Sequence, residues 1–339
     1  MSRVGQCPLG VQCENGRMKA ISLTETGGPD VLELREVDEP IPGAGEVLVK
    51  LECAGVNYID VYHREGRYSL ELPFTLGQEG AGVITSLGEG VTGWSVGDRV
   101  CWSMSGGSYA EYARVPAARL AAIPEGLPSK TAAAALLQGL TAHYLTTSVY
   151  PVEPGTVTVV HAAAGGVGLL LSQMISAKGG TVIGTTSSEE KAQRAREYGA
   201  QHVIRYDEVD WVAEVRSMVG EHGVDVVYDG VGADTFEGGL LALRPRGTMA
   251  LFGASSGAVP PFDLQRLSPL GSLNLTRPSL QHFIDDPEEF RWRVSELFDS
   301  ILLGDLTVTI AAEFPLAEAA QAHRALQSRN YSGKIVLTP

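Results

Sequence analysis

The stretch VTVVHAAAGGVGLLLSQMISA (157–177) constrains the fold more than any other part of the chain. A short β-branched run breaks into a cluster of small residues, and an apolar, helix-forming run follows at once. A strand that turns so tightly into a helix brings free backbone N–H groups and the positive end of the helix dipole to one point, which suits a phosphate. The segment reads as the dinucleotide-binding turn of a βαβ unit, with Ala163 in place of the first glycine of G-x-G-x-x-G. Gly165 lets the backbone approach a pyrophosphate, with Gly166 and Val167 as neighbouring contacts, and Gly168 lets the helix pack on the sheet. The window 157–175 is long enough to span a bilayer, but His161, the glycines, Ser172 and Gln173 interrupt it, so it reads as a buried strand, turn and helix.

A lone G-G-x-G also serves as a plain structural turn, so its context decides. Helix-like residues 131–147 precede it, and strand candidates start near 156, 181, 202, 224, 248 and 272. A helix-like stretch fills each of the first four gaps. Ser187-Ser188-Glu189-Glu190 reads as a capping box before KAQRAREY, with Gly199 closing that helix. Repeated βα units with short turns predict a doubly wound parallel sheet, apolar on both faces.

The text before residue 125 has a different rhythm. MKAISLTETGGPDVLEL (18–34) reads as a hairpin with a Gly-Gly-Pro-Asp turn. Strand candidates at 46–56, 81–91 and 109–116 predict an antiparallel barrel or sandwich. One helix interrupts it near 58–65, with Asn57 as N-cap and Gly66 just beyond its end. After 288 come two amphipathic helices and a last strand, GKIVLTP, which can return to the first domain. The division is therefore 1–17 a loose extension, 18–140 a β domain, 141–287 an α/β dinucleotide domain, and 288–339 a return to the β domain. Met18 is a candidate functional start. The extension has no apolar run of a signal peptide.

Four cysteines form no C-x-x-C pair, which predicts a reduced cytoplasmic protein; a bridge between Cys7 and Cys13 is the open alternative. The formal charge of -14 argues against nucleic acid as a partner.

The second strand of the α/β part bears on which dinucleotide binds. An NAD site ends that strand in an acid; here Thr185, Thr186, Ser187 and Ser188 stand there, with Lys191 one helical turn on. Hydroxyls and a lysine suit a 2′-phosphate, and Tyr206, after the third strand, can add a hydrogen bond. NADPH is expected. The competing reading makes Lys191 part of a solvated face beside Glu189 and Glu190.

AGVNYIDVYHREGRY (54–68), LGQEGAGVITSLGEGVTGWSVGDRV (76–100), LLQGLTAHYL (136–145), HAAAGGVG (161–168), VVYDGVG (226–232), LFGASSG (251–257) and LTRPSL (275–280) together resemble the medium-chain dehydrogenase/reductase superfamily. They are most similar to its zinc-free quinone oxidoreductase (zeta-crystallin-like) branch. The resemblance implies a GroES-like antiparallel β domain and a Rossmann domain. It implies hydride transfer from NADPH to a quinone, with an enone or alkenal as alternative acceptor. Another alternative is a non-catalytic structural or RNA-binding role. It also implies that Ile59, Asp60, Thr141, Tyr144, Phe252, Ser255, Ser256, Gly257, Arg277, Pro278 and Ser279 flank the cofactor; Ala254 stands where close relatives often carry a polar residue. Zinc-dependent members carry Cys and His where this chain has Asn57 and Gln78, and carboxamides are poor zinc ligands, so no metal is expected. The histidines (63, 143, 161, 202, 222, 282, 323) have no ligand spacing. Asn57 and Tyr62 are the catalytic candidates. Asn57 can bond a carbonyl or the nicotinamide, and Tyr62, with Tyr58 and Tyr68, can wall a flat pocket. The strand candidate 271–276 would lie at a sheet edge, which implies a homodimer joined there.

Overall fold

The computed structural model describes residues 16–339, so the fate of Cys7 and Cys13 and nearly all of the expected loose extension lie outside the described residues. The first strand begins one residue before Met18. Strand β1 (Arg17–Leu23) pairs antiparallel with β2 (Leu34–Asp38), Arg17 opposite Asp38 and Ile21 opposite Leu34. The hairpin is wider than expected: its connection is a loop with a 3-10 turn at Pro29–Val31, not a tight Gly-Gly-Pro-Asp turn.

Strand β3 (Glu46–Val56) follows, then helix α1 (Tyr58–Arg64). Helix α1 starts from an extended Asn57 and stops at Gly66, whose φ of +75° suits a residue without Cβ. Strands β4 (Phe74–Thr75), β5 (Glu79–Leu87), β6 (Arg99–Ser103), β7 (Tyr112–Pro116) and β8 (Leu120–Ala122) complete this part of the chain. The alanine-rich helix α2 (Ser129–Tyr144) then packs on β3, β5 and β6 on one side and on the next layer on the other.

The α/β part runs β9 (Val157–Val160), α3 (Gly166–Ala177), β10 (Thr181–Thr186), α4 (Glu189–Glu197), β11 (His202–Arg205), α5 (Trp211–Val219), β12 (Val224–Asp229), α6 (Phe236–Ala242), β13 (Leu243–Leu251) and β14 (Asn274–Thr276). Its strands are all parallel, in the order β11-β10-β9-β12-β13-β14. Order therefore reverses between β9 and β12, the switch point at which sheets of this kind take their ligands. One cap differs from expectation. Strand β10 runs on to Thr186, so Ser188 caps α4, accepting from Lys191 N at 3.3 Å. Glu190 then falls one place short of the position a capping box requires.

The last segment holds α7 (Pro287–Leu303), β15 (Ile310–Pro315), α8 (Ala319–Ser328) and β16 (Lys334–Thr338). Strand β15 was not expected: half-exposed and without clean alternation, IAAEFP carries no period-2 signal. It pairs parallel with β16, and β16 pairs antiparallel with β3. The chain end thus returns to a sheet of order β15-β16-β3-β5-β6-β8, with β7 also on β3. One hydrophobic core joins Cys53, Ala81 and Cys101 of this sheet to α2, α3, α7 and the near face of the parallel sheet. Others fill the antiparallel interior and the far face of the parallel sheet.

Candidate active site

Helix α1, the loop after β13 and the end of α8 converge on one cleft. The Ala254 N–H donates to Tyr62 Oη at 3.1 Å, and Arg329 donates to Ser255 O at 3.3 Å. Tyr58, Val61, Tyr62, Arg67, Ser255 and Arg329 line a pocket there. The three tyrosines pack on one another: Tyr58 and Tyr62 lie 6.2 Å apart, and Tyr68 meets Tyr62 edge-on at 5.6 Å. Tyr58 donates to Leu326 O, whereas Tyr62 accepts from Ala254 and keeps its own proton free. Burial, more than any neighbour, pushes the Tyr62 phenol up, so it stays protonated at neutral pH.

Asn57 occupies the N-cap position of α1, yet its carboxamide turns away from the helix. Nδ2 donates to Glu79 Oε2 at 2.9 Å and Gly55 O at 3.3 Å, and Lys334 Nζ donates to Oδ1 at 2.7 Å. The return half of the cap comes from Asp60, whose Oδ2 accepts from Asn57 N at 2.8 Å. Asp60 is fully buried, and its Oδ2 also accepts from Tyr109 at 3.0 Å, so the side chain braces the start of α1 through that oxygen. Burial pushes this carboxyl up to about 7, against the pull of those hydrogen bonds. Ile59 is half-buried on the same helix.

A zinc ion does not fit here. Asn57 and Gln78 offer carboxamides, and the Lys334 ammonium already sits on Asn57 Oδ1. Among the described residues no group of three His, Cys, Asp or Glu is gathered to hold a metal.

On the parallel sheet, Gly165 caps α3 and Gly166 opens it, followed by Val167. A Cβ on Gly168 would lie 2.3 Å from Ala162 O, so only glycine lets the helix sit this close to the turn. Ala162 itself is held at a φ of +52°. Lys191 Nζ donates to Ser187 Oγ at 3.0 Å and makes no ion pair among the described residues. Burial and then the charge of Arg329 lower the pKa of its ammonium. Arg329 escaped the sequence reading; it ends α8 in a left-handed conformation, and no local pattern marks it. Tyr206, exposed just past β11, donates its N–H to Thr186 O. Two cations beside the Ser187 hydroxyl fit a dinucleotide that carries a phosphate at its adenosine end.

The other expected contacts fall into two groups. Phe252, Ser255 and Gly257 lie on the loop after β13, whereas Thr141 is buried on α2, where its Oγ1 donates to Leu137 O. Ser256 Oγ ties its loop to the one after β12, donating to Val231 O and accepting from Asp234 N. Tyr144 is buried and stacks on Phe283 at 4.3 Å, so it packs the interior. Arg277 folds onto Pro278 O, and Ser279 begins the 3-10 turn that carries Phe283.

Residues 43–125 match the family described as alcohol dehydrogenase GroES-like domain, and 166–300 the one described as zinc-binding dehydrogenase. The chain is 42% identical to a quinone oxidoreductase of Pseudomonas aeruginosa, over 95% of this chain and 99% of that one. It is 40% identical to a 2-haloacrylate reductase of a Burkholderia species, covering 94% and 98% respectively. A mycobacterial protein solved in complex with NADPH superposes with a TM-score of 0.91 at 51% identity, over 95% of this chain and all of that one.

Proposed function

The chain belongs to the zinc-free quinone oxidoreductase branch of the medium-chain dehydrogenase/reductase superfamily, and from that premise we propose that it reduces a quinone at the expense of NADPH. The phosphate end of the cleft carries this reading: Lys191 rests on Ser187 beside Arg329, with no carboxylate paired to it. An acid there would repel a 2′-phosphate, whereas two cations and hydroxyls attract one. NADPH, when bound, supplies hydride to an acceptor electrophilic enough to need no Lewis acid. The chain's own residues bind, orient and exclude water. Tyr58 and Tyr68 flank a flat ring, and Tyr62 keeps a proton on Oη for an oxygen that gains negative charge.

The test is NADPH oxidation against a panel of quinones and enones, with NADH as control. Turnover of quinones with NADPH, and far less with NADH, supports the reading. Tight NADPH binding without turnover of any acceptor points instead to a non-catalytic binding protein. Delivery to the β-carbon of a conjugated C=C is the second reading, favoured by the 2-haloacrylate reductase at 40% identity; preferential turnover of enones would select it.

The dimer belongs to the same proposal. Strand β14 stands at the sheet edge, and pairing with its copy across a two-fold axis covers that edge. Buried free thiols at Cys53 and Cys101 support a cytoplasmic setting. Among the described residues no helix is long and apolar enough to cross a membrane.

A further inference from the structure

Lys334, Glu79 and Asn57 form a buried polar cluster at the start of α1, and its chemistry fixes which way the Asn57 carboxamide faces. An ammonium only donates and a carboxylate only accepts. Oδ1 must therefore face Lys334, at 2.7 Å, and Nδ2 must face Glu79, at 2.9 Å. A flipped amide would set an NH2 group against an ammonium and an oxygen against a carboxylate. Glu79 and the Gly55 carbonyl engage both Nδ2 hydrogens. One lone pair on Oδ1 remains, so Asn57 can accept a hydrogen bond but cannot give one.

The surroundings hold this arrangement rigid. Lys334 Nζ and Glu79 Oε2 are 2.5 Å apart, with side chains 1% and 0% exposed. Glu79 Oε1 accepts the Leu137 N–H of α2 at 2.5 Å. A Cβ on Gly55 would lie 2.1 Å from Glu79 Oε2 and 2.8 Å from Lys334 Cε, so the pair needs a glycine beside it. Segments from β5, β16, α2 and the end of β3 all meet at these atoms.

We propose that Lys334 and Glu79 are positioning residues that set Asn57 as an acceptor, so that it takes an N–H from the nicotinamide carboxamide and leaves the substrate carbonyl to other groups. A quinone oxygen has no hydrogen to give and finds no donor on Asn57. The carboxamide NH2 of a nicotinamide is a donor of the right kind. The inference rests on the reading of the cleft as an NADPH site.

The experiment compares binding of NADPH, its 3-acetylpyridine analogue and 2′,5′-ADP by calorimetry. The analogue replaces the amide NH2 with a methyl group, and 2′,5′-ADP lacks the nicotinamide altogether. The wild-type protein should bind the analogue about tenfold more weakly than NADPH, the scale of one hydrogen bond. The Glu79→Gln/Lys334→Met double variant leaves no unpaired buried charge. It should lose most of that preference and bind 2′,5′-ADP as the wild type does. Equal binding of NADPH and the analogue by wild type overturns the inference, whatever the variant does. So does a folded double variant that keeps the full preference. If wild type binds neither NADPH nor 2′,5′-ADP, the cofactor reading of the cleft itself has failed.

Discussion

His323→Gln should destabilise the protein by an amount that depends on pH, because the imidazole is held neutral in the interior. His323 on α8 is fully buried, with Arg64 Nη1 at 3.1 Å from Nδ1 and Tyr109 Oη at 3.2 Å from Nε2. A guanidinium only donates, so Nδ1 accepts and Nε2 carries the proton. A second proton on Nδ1 would face a cation in a dry site. Burial first, then Arg64, hold the imidazole down to about 3, against 6.5 for a free histidine. The folded value lies below the unfolded one, so the contribution is fully present above pH 6.5 and is lost as pH falls from there toward 3. Each pH unit in that window is about 1.4 kcal/mol. Going from pH 6.5 to 5 should therefore remove roughly 2 kcal/mol from the wild type that the variant, lacking the imidazole, retains. Urea unfolding of both proteins at intervals from pH 5 to 8 reads this directly. The gap between the two free energies should be flat above about pH 7 and shrink by roughly 2 kcal/mol at pH 5. Parallel curves across that range would refute a neutral buried His323. Asp60 supplies the opposite slope. Its folded value of about 7 lies above 3.8, so its contribution is present below pH 3.8 and lost as pH rises through 7. Asp60→Asn should accordingly gain on the wild type as pH rises between those values. In between, each state of the wild type holds one proton on this pair, on the imidazole when unfolded and on the carboxyl when folded. Only the single variants reveal the two slopes.

Lys191→Ala should weaken NADPH binding by about 1–3 kcal/mol and leave NADH almost unchanged in calorimetric titration, with Tyr206→Phe a smaller loss of the same kind. Equal losses for both cofactors would make Lys191 a surface residue. Ala162→Gly should raise stability by about 0.5–1 kcal/mol. It removes a left-handed Cβ worth about 1–2 kcal/mol, partly offset by glycine's greater unfolded freedom, and a lowered Tm would mean the methyl is packed. Elemental analysis of purified protein should find no stoichiometric zinc; one equivalent, with activity lost on chelation, would overturn the donor-set argument at Asn57 and Gln78. Light scattering at micromolar concentration should give twice the chain mass, and a monomeric mass would remove the pairing proposed for β14.

What the sequence makes legible here is what is local. The β9–turn–α3 unit, the helix at 58–65 and the run of βα repeats each carry their signal within one window, and the backbone follows it closely. The errors are also local in kind. Two adjacent serines compete for one cap, and a single further residue of β10 decides for Ser188 over Ser187. Strand β15 has no period to read because neither of its faces is fully buried. The site is another matter, because its chemistry joins residues that no window contains. Lys334 meets Glu79 across 255 positions and Asn57 across 277. From sequence, GKIVLTP is a final strand that can return to the β domain, and nothing marks Lys334 as a partner of Asn57. Motif spacing could name Asn57 and Asp60 as neighbours on one turn of helix, but not that one faces an ammonium and the other a buried tyrosine. Residue type limits what a side chain can do, and its long-range partners decide which of those things it does. Asn57 could donate or accept until Lys334 and Glu79 are in place; nothing in the sequence says that Tyr109 and the helix N-terminus share Asp60 Oδ2. The assignment of roles in this cleft is therefore a property of the folded contacts, and it is there that substitution should separate function from scaffold.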